Sequence, residues 1–568
     1  MRKIKAILYK MLFYQVQIDN KKTPRKIRPI WIHFLLVSVI VCLVLVFSRI
    51  NFSISSFGFH IFWRNLKQLF TISNTSEITG NTQNLTLLTF NYLWISIKFA
   101  LSGTFIGSIL ALLCTLFTNK IFVHRYFAFV FKLLFLIIRG FPEFVFILLF
   151  QSIFSQELTL LLVYIWFSWL WLLKYFDDLL DNLNLNKYWL SIKLGNGKLS
   201  AFLKEIYPQI NNKIINLFLY SFESNIRWSS YLSVVGVIGV GTLIKHPFEA
   251  GLKDFKSEFF IPFAILISFI LFLEIINYLT KTFLLADVNQ KLKINFIKWQ
   301  IKYNYRGILK KLIFLVLCIF SIVVIIQTNK NLFYNGFFGK WIWQLFSVDF
   351  SVLNFSFKII QDNIFYQVFQ SYLVALAIFV WLIIVSLILL FFSTSTLSSK
   401  KTKIVFVSIE MLFRSVPTVV FIFVFLPLFE SPIALLVIFI GISLSGSFVK
   451  QLIEHVEKIP QKKIENLYLQ GWSKLRIYFK FVLPSIKYDL YYLVILYFEL
   501  SFRNTIAYSF LSNNELLLGS ELFNALGEQQ HENLNFAFSY AWVIVFNICL
   551  IHLTSRIISY NLKRKCLI

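Results

Sequence analysis

Two short runs place charge inside sequence that is otherwise apolar. Glu223 precedes Arg227 by four residues, and Glu499 precedes Arg503 by four. At this spacing, with the acid first, each pair shares one helix face in the favoured orientation. A charge near the centre of a membrane helix costs about 2.5–3.5 kcal/mol on insertion scales, so each pair needs a reason to be there. A neutralised pair that fixes helix packing is one reading. The other is a guanidinium that can turn from carboxylate to phosphate-like oxygens along a central path. Both stand on the sequence alone. Arg139 and Arg414 are two further bases, each three residues before a proline (Pro142 and Pro417). No catalytic residue is expected, because no nucleophile, base and orienting group fall into a recognisable pattern. The histidines are few and the five cysteines lie far apart, so no metal site is expected either. Gly195-Asn-Gly197-Lys198-Leu-Ser200 shares letters with a phosphate-binding loop but lacks its spacing.

The elements around these residues form an internal repeat. Gly195, Pro208, Phe222, Glu223 and Arg227 recur as Gly471, Pro484, Phe498, Glu499 and Arg503, all at an offset of 276. Gln68-Leu69-Phe70 recurs as Gln344-Leu345-Phe346 at the same offset, and Arg139-x-x-Pro142 recurs as Arg414-x-x-Pro417 at 275.

The chain of 568 residues is 58% hydrophobic and 14% charged, with a mean hydropathy of +0.72, which places it among integral membrane proteins. Its formal charge of +28 arises from Lys and Arg clustered between apolar runs. That pattern marks cytoplasmic loops beside anionic lipid rather than nucleic-acid binding. Residues 1–30 form a basic cytoplasmic N-terminus, 31–280 a first half, 281–311 a basic cytoplasmic linker, 312–558 a second half and 559–568 a cytoplasmic tail. Spans are expected near 31–48, 91–117, 142–152, 158–175, 212–243 and 260–280, then near 312–327, 366–393, 416–429, 432–450, 487–511 and 537–558. The expectation is therefore an all-α integral membrane protein of two tandem parallel six-helix repeats, about 12 transmembrane helices, with both termini cytoplasmic.

Before the fifth span of each half lies a polar segment that reads as helix, glycine break, helix and proline stop: 187–208 and 462–484. Its spacing resembles the Glu-Ala-Ala loop of ATP-binding-cassette (ABC) importer permeases. Glu465, Gly471, Leu483 and Pro484 fall on the motif in the second copy; Gly195 and Pro208 fall on it in the first, where Trp189-Leu190-Ser191 replaces the acidic triplet. Phe222-Glu-x-Asn225-x-Arg227 before Gly236, Gly239 and Gly241, with Arg139-Gly-Phe-Pro142-Glu143, is similar to the phosphonate-uptake permeases. Ser501 replaces the Asn and Thr418 replaces Glu143 in the second half. Nearly the whole chain resembles the double-length fused form of these permeases known from mycoplasmas.

The resemblance implies a type I ABC importer permease (MetI-like) fold in the cell (plasma) membrane. It implies a path for a phosphonate or similar phosphate-like anionic nutrient. Two ABC ATPase subunits would dock on Gly195, Pro208, Glu465, Gly471, Leu483 and Pro484, and an extracytoplasmic substrate-binding lipoprotein would deliver the cargo. Membrane lipid would surround the chain. ATP would be bound by the ATPase, so no cofactor and no enzyme activity are expected in this chain. Arg139, Glu223, Arg227, Arg414, Glu499 and Arg503 would line the pathway. The competing class is a secondary carrier with a six-plus-six repeat, which would lack paired docking segments.

Overall fold

The computed structural model describes residues 41 and 43–566, except 77, 79–82, 182, 184, 250–254, 285–304, 330–342, 354–362, 396, 513–514 and 528–533, together with four residue pairs between 13 and 27. Most of the basic N-terminus, the first expected span and the inter-half linker therefore lie outside the described residues. Among the described residues the fold is all-helical apart from three pairs of two-residue strands.

In the first half the helices are α1 (Ser56–Leu69), α2 (Leu85–Thr118), α3 (Arg125–Gly140), α4 (Glu143–Ile153), α5 (Gln156–Asp181), α6 (Asn186–Lys193), α7 (Lys198–Ala201), α8 (Tyr207–Val234), α9 (Val240–Glu249) and α10 (Phe260–Leu279). The second half holds α11 (Tyr305–Asn329), α12 (Ile364–Ser393), α13 (Lys400–Ser415), α14 (Thr418–Phe425), α15 (Pro432–Val456), α16 (Gln461–Leu469), α17 (Lys474–Ile477), α18 (Lys487–Ala507), α19 (Leu517–Gly527) and α20 (Leu534–Cys566). Among the described residues seven helices are long and apolar enough to cross a membrane, or up to ten if each bent pair counts as one span. Helix α8 is not among them. Its Glu223, Asn225, Arg227 and serines make it too polar for that measure, and all but Arg227 of the three named are buried.

Small residues let the long helices approach closely, as membrane packing demands. Gly103 sits against Tyr164 and Gly107 against the Ile165 carbonyl, which brings α2 onto α5. Both Arg-x-x-Pro sequences break a helix: α3 and α4 meet at 78°, and α13 and α14 at 86°. The proline N-caps the second member each time, so its fixed φ and missing N–H fall where no helical bond is lost.

Three expectations change. The proline at the end of each docking segment does not stop the helix. A π-turn, Phe202–Ile206 or Tyr478–Val482, precedes it in both copies, with the Tyr207 N–H reaching the Phe202 carbonyl and the Leu483 N–H reaching the Tyr478 carbonyl. The wider turn relieves the clash a proline makes with the carbonyl four residues back. Helix then continues through Pro208 into α8, whereas the second copy bends by 78° between Ser485 and Lys487. Second, the fifth spans end early, at Val234 and Ala507, rather than at 243 and 511. Third, the stretches left between expected spans, after 243 and after 511, hold helical structure, α9 reaching into the first and α19 lying in the second, with Ile244, Leu518 and Leu522 buried.

The halves are exchanged at their edges. Ser53 to Ser55 pairs with the turn after α14, through Ser55 N–H to Leu428 O (3.3 Å) and Glu430 N–H to Ser53 O (3.2 Å). Helix α11 packs on α2 of the first half, with Phe314 against Phe105 at 5.4 Å between ring centres. At the centre α19 packs on α4 through Phe523 and Phe144, and α9 on α14 through Phe248 and Phe423. Each broken helix is thus held by the other half.

Candidate translocation site

The two breaks leave carbonyls at the ends of α3 and α13 without helical partners. Arginines from the opposite half take them. Arg503 on α18 donates through Nη1 to the Arg139 carbonyl, and Arg227 on α8 donates through Nη1 to the Arg414 carbonyl at 2.8 Å. A cation at a helix C-terminus also meets the negative end of its dipole. The expected i,i+4 pairs form as well, Arg503 Nη2 to Glu499 at 3.1 Å and Arg227 Nη2 to Glu223 at 3.7 Å. Arg139 and Arg414 join the pairs of the opposite half, so the six expected residues fall into two crossed clusters.

The Glu499 cluster is saturated. Its Oε1 accepts from Arg139 Nη2 (3.3 Å), Arg503 Nε (3.2 Å) and Arg503 Nη2 (3.1 Å), and its Oε2 lies 3.3 Å from His552 Nδ1 on α20. The Glu223 cluster is open. Glu223 Oε1 lies 3.7 Å from Arg227 Nη2 and 3.8 Å from Arg414 Nε, and among the described residues neither of its oxygens has a hydrogen-bond partner. Arg414 pairs instead with Glu274 on α10, which stands close to the position His552 holds in the other half. The Nε atoms of Arg227 and Arg414 are buried and have no hydrogen-bond partner among the described residues.

Between the clusters lies a cavity of about 310 Å³, walled by α3, α4, α5, α8, α13, α14, α15 and α18. Arg139, Arg227, Arg414, Arg503 and Lys174 reach its wall, against two acids, Glu143 and Glu499. Glu223 and Glu274 are not among its lining residues, so the wall is more basic than the clusters as a whole. The sequence reading passed over Lys174, although Lys174 and Asp178 recur as Lys450 and Glu454 at the offset of 276. It also missed Glu274 and His552, which slip two residues out of that register. Asn225 serves packing: its amide donates to Thr104 (2.7 Å) and Ser168 (2.8 Å), joining α8 to α2 and α5. No group of three or more metal-ligating side chains occurs among the described residues.

The two segments expected to dock are built alike. Gly195 (φ +91°) and Gly471 (φ +79°) follow α6 and α16 in the left-handed region. Asn196 N–H returns to Ser191 O (3.2 Å) and Trp472 N–H to Leu467 O (3.1 Å), the paired closure that favours glycine at this place. A Cβ at either glycine would meet nothing within 4 Å, so backbone conformation, not space, selects it. Apolar side chains stand exposed at matched positions, Leu199 with Leu475 and Leu203 with Phe479.

A repeated helical unit whose broken helices cross at a basic cavity has the build of a membrane permease. Residues 103–282 and 391–566 match the family of binding-protein-dependent transport system inner membrane components, and the chain belongs to it, with two MetI-like repeats. It is similar to the ABC transport system permease protein p69 of Mycoplasma genitalium, 27% identical over 535 residues covering 93% of this chain and 94% of the relative. The p69 protein of Mycoplasma pneumoniae is 26% identical over 494 residues, 86% of each. No solved structure matches the chain. The protein is thus a multi-pass transport subunit rather than an enzyme, and the secondary-carrier reading falls with the family match. Permeases of this family work with an ATPase and a substrate-binding protein.

Proposed function

We propose that this chain forms the translocation pathway of an importer for a phosphonate or similar phosphate-like anion. The observation that carries this reading is one cavity lined by four arginines, two from each repeat. Its basic wall draws in an anion, and the Nε–H groups of Arg227 and Arg414, without a hydrogen-bond partner among the described residues, seat it through charge-assisted hydrogen bonds. The saturated Glu499 cluster holds the two halves together. On the cytoplasmic face two ATPase subunits dock on the segments around Gly195–Pro208 and Glu465–Pro484, where exposed Leu199, Leu475, Leu203 and Phe479 offer apolar contact. ATP is hydrolysed there, and an extracytoplasmic lipoprotein loads the other face. Both termini then lie in the cytoplasm and the chain resides in the plasma membrane.

The test is to purify the substrate-binding partner, identify its ligand by mass spectrometry, and measure ATP-dependent uptake of that ligand by vesicles carrying the assembled transporter. A ligand with a phosphate or phosphonate group, carried only when this chain is present, is the expected result. A neutral or cationic ligand would overturn the reading.

A further inference from the structure

Among the departures of the cavity wall from a two-fold relation, one lies at the opening of the broken helices. Glu143 opens α4 and Thr418 opens α14, at equivalent positions just after Pro142 and Pro417, and both line the cavity. One half thus presents a carboxyl where the other presents a hydroxyl. An acid in the first turn of α4 is favoured by the helix dipole, which accounts for its tolerance. It does not account for a carboxyl oxygen, Glu143 Oε2, that is buried with no hydrogen-bond partner among the described residues. A buried acceptor left unpaired carries the full cost of its lost hydration. Two neighbouring polar groups are committed elsewhere. The Tyr231 hydroxyl donates to the Ala507 carbonyl at 3.0 Å, and Arg503 is engaged by Glu499 and the Arg139 carbonyl.

A bare phosphate-like anion would be repelled by an ionised Glu143 and brings no donor to its unpaired oxygen. An acid placed on the wall of an anion path makes sense if the cargo brings a donor to it. We propose that the cargo is an anion that also bears a hydrogen-bond-donating group, an amine or hydroxyl, whose anionic end rests on Arg227 and Arg414 and whose donor rests on Glu143. This rests on the anion-pathway reading above and narrows its substrate class. Discrimination then follows from burial: a site built to bond a substrate N–H or O–H penalises the analogue that lacks it, because its own acceptor stays unpaired.

The test compares two probes of similar length, 2-aminoethylphosphonate and ethylphosphonate, carried by the complete transporter with its ATPase and binding protein. Because every variant uses the same binding protein, that protein's preference cancels when uptake ratios are compared between variants. Glu143→Gln keeps shape and removes the charge; Glu143→Thr copies the second half. Uptake is expressed per assembled complex, so a variant that assembles poorly is still scored. The amino-to-plain uptake ratio should fall about tenfold in Glu143→Thr, and less in Glu143→Gln, through a raised KM for the amino probe alone. If both probes are carried and neither variant changes the ratio, Glu143 has no part in selection and this inference is wrong while the anion path stands. If the unmodified transporter carries neither probe, the phosphonate reading itself fails, and this inference fails with it.

Discussion

The Glu499 and Glu223 clusters descend from one repeated pattern, yet they are finished differently. In the first, a single carboxylate accepts from two arginines at 3.1–3.3 Å and faces His552. In the second, the acid stands 3.7–3.8 Å from its bases, and Glu274 takes up Arg414. Net charge and free donors favour opposite clusters as the seat for an anion. The Glu499 cluster has one acid for its two arginines, so charge alone favours it. But the cavity wall as a whole is basic, and attraction at this range is a property of the wall. Seating needs unsatisfied cationic N–H groups, and among the described residues the buried guanidinium N–H groups without a hydrogen-bond partner are Arg227 Nε and Arg414 Nε. Under the proposed function, a duplicated site divides its work between holding the halves together and handling the cargo.

The comparison breaks most readily at its acids. Replacing Glu499 by alanine strands Arg139 and Arg503 in a buried setting, which costs roughly 3–5 kcal/mol. The expected outcome is a large loss of correctly assembled protein, read by size-exclusion of the solubilised complex. Glu223→Ala should do far less harm, because no hydrogen bond to Glu223 is lost and Glu274 remains beside Arg414. Equal losses for the two variants would erase the distinction.

The proposed docking segments sharpen the contrast by being equivalent where the clusters are not. Leu199→Asp and Leu475→Asp alter exposed side chains, so folding should be untouched. Each should cut substrate-stimulated ATP turnover by roughly tenfold, as expected when an apolar anchor of an interface becomes charged. A smaller effect is expected at the turns. Gly195→Ala and Gly471→Ala should each cost about 1 kcal/mol, from the positive φ alone. Thermal unfolding of the complex should show the two shifts matched, whereas a severe loss at either would mean that the space around it is filled on docking.

Much of this fold was legible because the repeat carried it. The offset of 276 located both helix–glycine–helix segments and both ion pairs, and the recurring Arg-x-x-Pro sequences fall where the two helices break. What stayed hidden depends on contacts across the halves. Spacing along the chain says that Glu499 and Arg503 share a face, but not that Arg503 reaches the Arg139 carbonyl 364 residues away. The π-turns before Pro208 and Pro484 were hidden because a proline signals a stop whenever the turn preceding it is read as an ordinary α-turn. Helix α19 was hidden because its flanks are polar and acidic, although Leu518 and Leu522 bury a clear apolar face.

The division of labour is tested most directly by comparing Arg227→Ala with Arg503→Ala in the reconstituted transporter. Two quantities are measured: the fraction of chain assembled with its ATPase, and anion uptake per assembled complex. Arg227→Ala should assemble nearly normally and lose most of its uptake, at least about tenfold for one lost charge-assisted contact. Arg503→Ala should assemble poorly, yet the complexes that do form should retain most of their uptake. The reverse pattern, or normal uptake per complex in both variants, would contradict the assignment of cargo handling to the open cluster.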